Sequence, residues 1–131
     1  MPRSTNKIVF LRWAMTVGWA GMVTFLSLCP SETFQNIQTP FYGEDKLVHF
    51  VMYMVFSLLL IRAFLVSRAW KKDKIRIFLF TAVFTIGYSI VMEIAQGFLA
   101  TRVASFGDIA ANAAGVVASI LLVREAKEWL K

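Results

Sequence analysis

The chain has 131 residues, room for one domain, and 58% of them are apolar types, against roughly 45–50% with glycine included for an ordinary soluble domain. Charged residues are only 17% and the mean hydropathy is +0.64, which excludes disorder, collagen, coiled coil and a disulfide scaffold and reads as an integral membrane protein, because a soluble domain this small could not hide so much apolar surface. A formal charge of +6 would point a soluble protein toward nucleic acid, but in a membrane protein it is expected from cytoplasmic loops, so the bilayer is the expected partner and nucleic acid is not.

The first apolar stretch, 8–28, is interrupted only by Arg12. Its start is basic, as in a signal peptide, yet no small-x-small cleavage site follows, so it is expected to be retained. The single cysteine, Cys29, excludes an intramolecular disulfide and a Cys-based zinc site, and the bulky Leu28 before it argues against lipidation. The second stretch, 47–66, has His49 at one end and Arg62 near the other; 77–99 and 107–123 are the third and fourth. Each is about 17–23 residues, enough to cross roughly 30 Å of hydrocarbon. The expected fold is therefore all-α: one domain over 1–131, a bundle of four transmembrane helices.

Basic residues set the orientation. Arg3 and Lys7 precede the first span; Arg68, Lys71, Lys72, Lys74 and Arg76 crowd the turn between the second and third; Arg124, Lys127 and Lys131 close the chain. With Arg12 and Arg62 snorkelling to the same side, twelve of the fourteen basic residues share one face, leaving Lys46 and Arg102 on the other. The positive-inside rule then puts both termini in the cytoplasm. The aromatic residues, Trp13 and Trp19 included, are expected to be mostly lipid-facing bulk and interfacial anchors.

With that topology the polar residues inside the spans converge on the outer half. Asp45, His49 and Tyr53, four apart, form a stripe at the start of the second span, flanked by Lys46. Glu93 and Gln96 stand near the outer end of the third, and Asp108, Asn112, Gly115 and Ser119 follow one face of the fourth. At 1.5 Å per residue, Tyr53, Glu93 and Asn112 each lie roughly 6–9 Å inside the outer helix ends. No comparable set is expected on the inner half. A charge facing lipid near mid-bilayer costs at least ~2.5–3.5 kcal/mol, so such groups turn inward and pair. Glu93, flanked by Val91, Met92, Ile94 and Ala95, is the sharpest case. The outward N-terminal ends of spans two and four, beside Lys46 and Arg102, suit a phosphate or carboxylate.

Three blocks then carry a resemblance: Asp45-Lys46-Leu-Val-His49-Phe50-Val-Met-Tyr53; Glu93-Ile-Ala-Gln96-Gly-Phe; and Arg102-Val-Ala-Ser105-Phe-Gly-Asp108-Ile-Ala-Ala-Asn112-Ala-Ala-Gly115. Together, over roughly residues 42–120, the chain resembles the VanZ-like family and shows no departure from that pattern. The resemblance implies a small bacterial membrane protein of the cell envelope, in a family whose founding member is associated with resistance to the glycopeptide teicoplanin. It implies no settled reaction.

Structural readings stand beside the functional ones. Glu44 and Asp45 open a helix, where acids favour the macrodipole; Ser105 with Asp108 three residues on is a capping-box variant; Gln96 and Asn112 can serve as interhelical glue. Gly107, Ala111, Gly115 and Ala118 mark close helix packing. One histidine with spread carboxylates is thin for zinc, so neither a metal nor a cofactor is assigned. The leading hypothesis is acid–base chemistry on an outer-leaflet lipid or lipid-linked envelope precursor. His49, Glu93, Arg102 and Asp108 are its catalytic candidates, and Asp45, Lys46, Tyr53, Gln96, Ser105 and Asn112 its ligand-binding ones. A non-catalytic headgroup-binding protein and a purely structural polar cluster remain alternatives. Transport is disfavoured, since four short spans show no inverted repeat.

Overall fold

All three prolines, Pro2, Pro30 and Pro40, lie outside the helical runs, so nothing inside those runs removes a backbone donor. The computed structural model describes residues 3–29, 44–67, 70, 72–99 and 105–126. These form α1 (Arg3–Leu28), α2 (Glu44–Val66), α3 (Lys74–Gly97) and α4 (Phe106–Glu125). All four are long and apolar enough to cross a membrane, as a multi-pass membrane protein requires. The helices overrun the apolar spans at most ends. Lysine and arginine are good helix formers, so hydrogen bonding continues through Arg3–Lys7 and Lys74–Arg76 after hydropathy has fallen. At the start of α3 the Asp73 carboxylate accepts from the Arg76 N–H at 2.9 Å, a cap absent from the sequence reading. Beyond Gly97 the chain tightens into a turn, with the Phe98 N–H donating to the Ala95 carbonyl at 3.2 Å, so α3 stops two residues short of 99.

α2 is the central helix. It packs most closely on α4, and also touches α1 and α3. The two helices come close at Gly115, where a Cβ would collide with the Phe50 carbonyl oxygen and stand 3.0 Å from the Met54 nitrogen. Two apolar clusters fill the interior: Val23, Met52, Tyr53, Phe56 and Val116, then Leu60, Ile61, Phe64, Ile77 and Val123. α1 lies against α2 and α3, tied by Trp19 Nε1 donating to the Met52 carbonyl at 3.0 Å and by Tyr88 Oη donating to the Ala20 carbonyl at 3.1 Å.

The outside is apolar. Phe10 is 75% exposed and Val83 73%, with Val17, Phe25, Val91 and Ile94 similarly open, as expected for faces that meet lipid tails rather than water. The inside is partly polar, and more so than the sequence reading allowed. Thr16, Ser57, Thr81, Thr85 and Ser119 are buried away from the Glu93 end of the bundle. Four of them satisfy themselves locally: Thr85 Oγ1 donates to the Thr81 carbonyl at 2.6 Å, Ser57 Oγ to Tyr53 at 2.7 Å, Ser119 Oγ to Val116 at 2.7 Å and Thr16 Oγ1 to Arg12 at 2.8 Å. They act as small packing residues that let helices approach.

Phe10, Phe25, Phe98 and Phe106 are exposed, as expected of lipid-facing aromatics. Others form a ladder across α2 and α3: Phe56 meets Tyr88 edge-on at 5.4 Å, Phe80, itself partly exposed, meets Phe64 at 5.2 Å, and Phe64 meets Trp70 at 4.7 Å. Trp13 packs edge-on against Phe64 at 5.2 Å. The Arg76 guanidinium lies 4.3 Å over Trp70, and Arg12 donates to the Arg62 carbonyl at 3.2 Å. Those cations gather where α2 and α4 end and α3 begins. At the opposite end α2 and α4 begin, and α1 and α3 finish.

Because the atoms opposite Gly115 are backbone, they cannot step aside. Gly115→Ala should therefore cost about 1–3 kcal/mol, the usual cost of overpacking, while Gly87→Ala, with open space around it, should be neutral. Thermal unfolding of the two variants in detergent checks the difference.

Candidate functional site

The end where α2 and α4 begin carries the buried ionisable groups. α2 delivers Lys46 and His49, α3 delivers Ser89 and Glu93, and α4 delivers Asp108 and Asn112. His49, Glu93 and Asp108 each offer a nitrogen or oxygen within 4.8 Å of the others'. Glu93 is 2% exposed. His49 and Asp108 side chains keep 13% and 14%.

Each member is held by a neighbour. Asn112 Nδ2 donates to Ser89 Oγ at 2.8 Å, and Asn112 Oδ1 lies 3.1 Å from His49 Nδ1. An amide oxygen only accepts, so Nδ1 carries the proton of the neutral ring and Nε2 presents its lone pair. That Nε2 stands 3.9 Å from Asp108 Oδ2, too far for a hydrogen bond. Lys46 Nζ approaches Asp108 Oδ1 at 3.7 Å, its chain lying across Gly107, where a Cβ would come 2.8 Å from Lys46 Cε. Asp108 Oδ1 is buried with no hydrogen-bond partner among the described residues.

The start of α4 explains how Glu93 is placed. Ser105 is the N-cap, its hydroxyl accepting from the Gly107 N–H at 3.2 Å, as the capping reading anticipated. In a capping box the acid three residues on would accept from the cap's own N–H. Here Glu93 Oε2, reaching over from α3, takes that bond at 3.2 Å. Asp108 is thereby released to face His49. A second helix has completed the cap, and a carboxylate has been fixed inside the bundle with one backbone donor.

The remaining candidates divide. Tyr53 is 1% exposed; its hydroxyl has no hydrogen-bond partner among the described residues and lies within electrostatic reach of Glu93. Gln96 turns to α1, where Nε2 donates to the Ser27 carbonyl at 2.8 Å, so its contact is interhelical. Asp45 belongs to α2, but its side chain, like all of Arg102, falls outside the described residues. The sequence offers Ser89, like Ser105, as a hydroxyl without an evident catalytic triad; its bond to Asn112 was not expected. Its signal was spacing: Thr81, Thr85, Ser89 and Glu93 recur every four residues, a polar stripe on one helical face.

The model of the VanZ/LLP1 family matches residues 7–129, nearly the whole chain. The chain belongs to this VanZ-like family. The match takes in α1 and reaches both ends, beyond the 42–120 carried by the three motif blocks. No curated protein and no solved structure matches.

Glu93 accepts a backbone bond that a neutral amide oxygen can also accept. Glu93→Gln should accordingly unfold near the wild-type temperature, whereas Glu93→Ala leaves the part-buried Ser105 N–H unpaired and should lose about 1 kcal/mol. Circular dichroism melts of both in the same detergent make the comparison.

Proposed function

We propose that this membrane protein receives, at the end where α2 and α4 begin, the anionic headgroup of an outer-leaflet lipid or lipid-linked envelope precursor, and performs acid–base chemistry on it. The observation that carries the reading is the grouping of His49, Glu93 and Asp108 within 4.8 Å of one another at that end. His49 Nε2 can supply the lone pair of a general base, and Glu93, buried beside it with the Ser105 N–H as its hydrogen-bond donor among the described residues, suits the role of a proton carrier. Lys46, which stands at the rim with its side chain 54% exposed, and the amino ends of α2 and α4 supply the positive potential that a phosphate requires. Arg102 would add a second cation. Tyr53, Ser105 and Asn112 position the groups around it.

The same reading places the protein in the bacterial cytoplasmic membrane, with both termini and the 68–76 turn in the cytoplasm and the site facing outward. Its cellular consequence would be altered susceptibility to glycopeptides of the teicoplanin type. The orientation can be tested alone. In a Cys29→Ser background, Phe106→Cys should react with an impermeant maleimide in intact cells, and Lys72→Cys only after permeabilisation; the reverse pattern refutes an outward site.

Chemistry is tested by comparing lipids and lipid-linked precursors, by mass spectrometry, in cells holding equal amounts of wild type or Glu93→Gln. A species altered by wild type and altered at least about 100-fold less by Glu93→Gln, the usual scale of a lost acid–base group, supports an enzyme and identifies its substrate. A substitution that leaves the altered species at wild-type level transfers the site to the second reading, a headgroup-binding protein without chemistry. That alternative draws on Lys46 and the helix ends, and predicts that Lys46→Gln matters more than Glu93→Gln.

A further inference from the structure

The three groups that converge in the site can each offer a lone pair to a common point. Asn112 Oδ1 lies 3.1 Å from His49 Nδ1, so a neutral ring that donates there turns the lone pair of Nε2 toward Asp108. Glu93 and Asp108 bring carboxylate oxygens to the same point, and all three lie within 4.8 Å of one another. Lone pairs facing lone pairs in a low-dielectric interior repel. Lys46 meets this only in part: its ammonium is 3.7 Å from Asp108 Oδ1, while Oδ2 is the oxygen that faces His49, and among the described residues no hydrogen bond satisfies Asp108 Oδ1. Among the described residues no cation stands between the three groups.

We propose that His49 Nε2, one Glu93 oxygen and one Asp108 oxygen bind a divalent first-row transition-metal ion. The spacing is close to what an ion would impose. Metal–ligand bonds of about 2.0–2.2 Å around a tetrahedral ion put ligand atoms roughly 3.4 Å apart. The 3.9 Å between His49 Nε2 and Asp108 Oδ2, and the outer separation of 4.8 Å, exceed this by amounts that rotation of a carboxylate can close. The outer shell has the form metal histidines use, with the non-ligating nitrogen donating to a fixed oxygen: Nδ1 to Asn112, itself held by Ser89. An imidazole in the set favours transition metals over magnesium or calcium, which take oxygen alone. Three protein ligands leave further coordination positions open, toward the side where His49 and Asp108 retain some exposure. This inference stands on the geometry and not on the headgroup reading, and its assay contains no substrate.

The test uses the full chain in a neutral detergent, freed of any affinity tag and stripped with a chelator, then titrated with Co2+. Wild type should develop visible d–d bands at one equivalent, lose them on addition of Zn2+, and melt at a higher temperature with the metal than without. Glu93→Gln, which keeps the Ser105 bond, should abolish bands and thermal shift together. Asn112→Ala should weaken binding roughly 10–100-fold, the scale of an outer-shell loss. Lys46→Met should bind Co2+ more tightly, because a competing ammonium has left Asp108. Wild type without bands or thermal shift overturns the proposal. So do bands that survive unchanged in Glu93→Gln and His49→Gln, or a Lys46→Met variant that binds more weakly.

Discussion

The close approach of α2 and α4 at Gly115 sets the register on which the site depends. With hydrogen in place of a side chain, α4 lies directly on the Phe50 carbonyl and the Met54 nitrogen. Asn112 is one helical turn before Gly115, and His49 immediately precedes Phe50. Fixing the first pair therefore brings the second within 3.1 Å. A bulkier residue at 115 would move the helices apart by more than a hydrogen bond tolerates, and the loss would pass from His49 through Asn112 to Ser89 on α3.

Polarity in this bundle is distributed as the bilayer demands. Lipid tails are as apolar as leucine, so burying more leucine gives helices little reason to associate. Hydroxyls that bond to their own helix, such as Thr85 and Ser57, make a thin, satisfied surface against which a neighbour can pack. The aromatic ladder from Phe56 through Tyr88, Phe84 and Phe80 to Trp70 supplies dispersion along the other seam. Among the described residues charge gathers toward the two ends. One end holds cations that meet carbonyls and ring faces, and the other holds carboxylates with a histidine.

That second end has an unusual balance. Among the described residues, Glu93 has the Ser105 N–H, and Asp108 has a lysine beyond hydrogen-bonding distance. An anionic headgroup brought to Lys46 would meet two carboxylates behind it. A metal ion held between those carboxylates and His49 would reverse the local field and make the same end attractive to phosphate. The headgroup and metal proposals are thus compatible in sign, although each stands on its own measurement.

The sequence by itself determined the solvent, the four spans, the family and the set of polar residues worth attention. Hydropathy and helical periodicity are properties of one strand of chain, and each of these follows from them or from local motifs. Ser105 as a cap was legible for the same reason. The partners were not. That Glu93 completes the α4 cap, that Asp108 is thereby left to face His49, and that Gln96 turns to Ser27 while Asn112 turns inward all depend on the rotation of each helix about its axis. Rotation is fixed by close contacts such as Gly115 on Phe50, between residues far apart in sequence. Hydropathy averaged along a span carries no information about them, because lipid accepts any apolar face. Only the packed bundle decided which polar face met which.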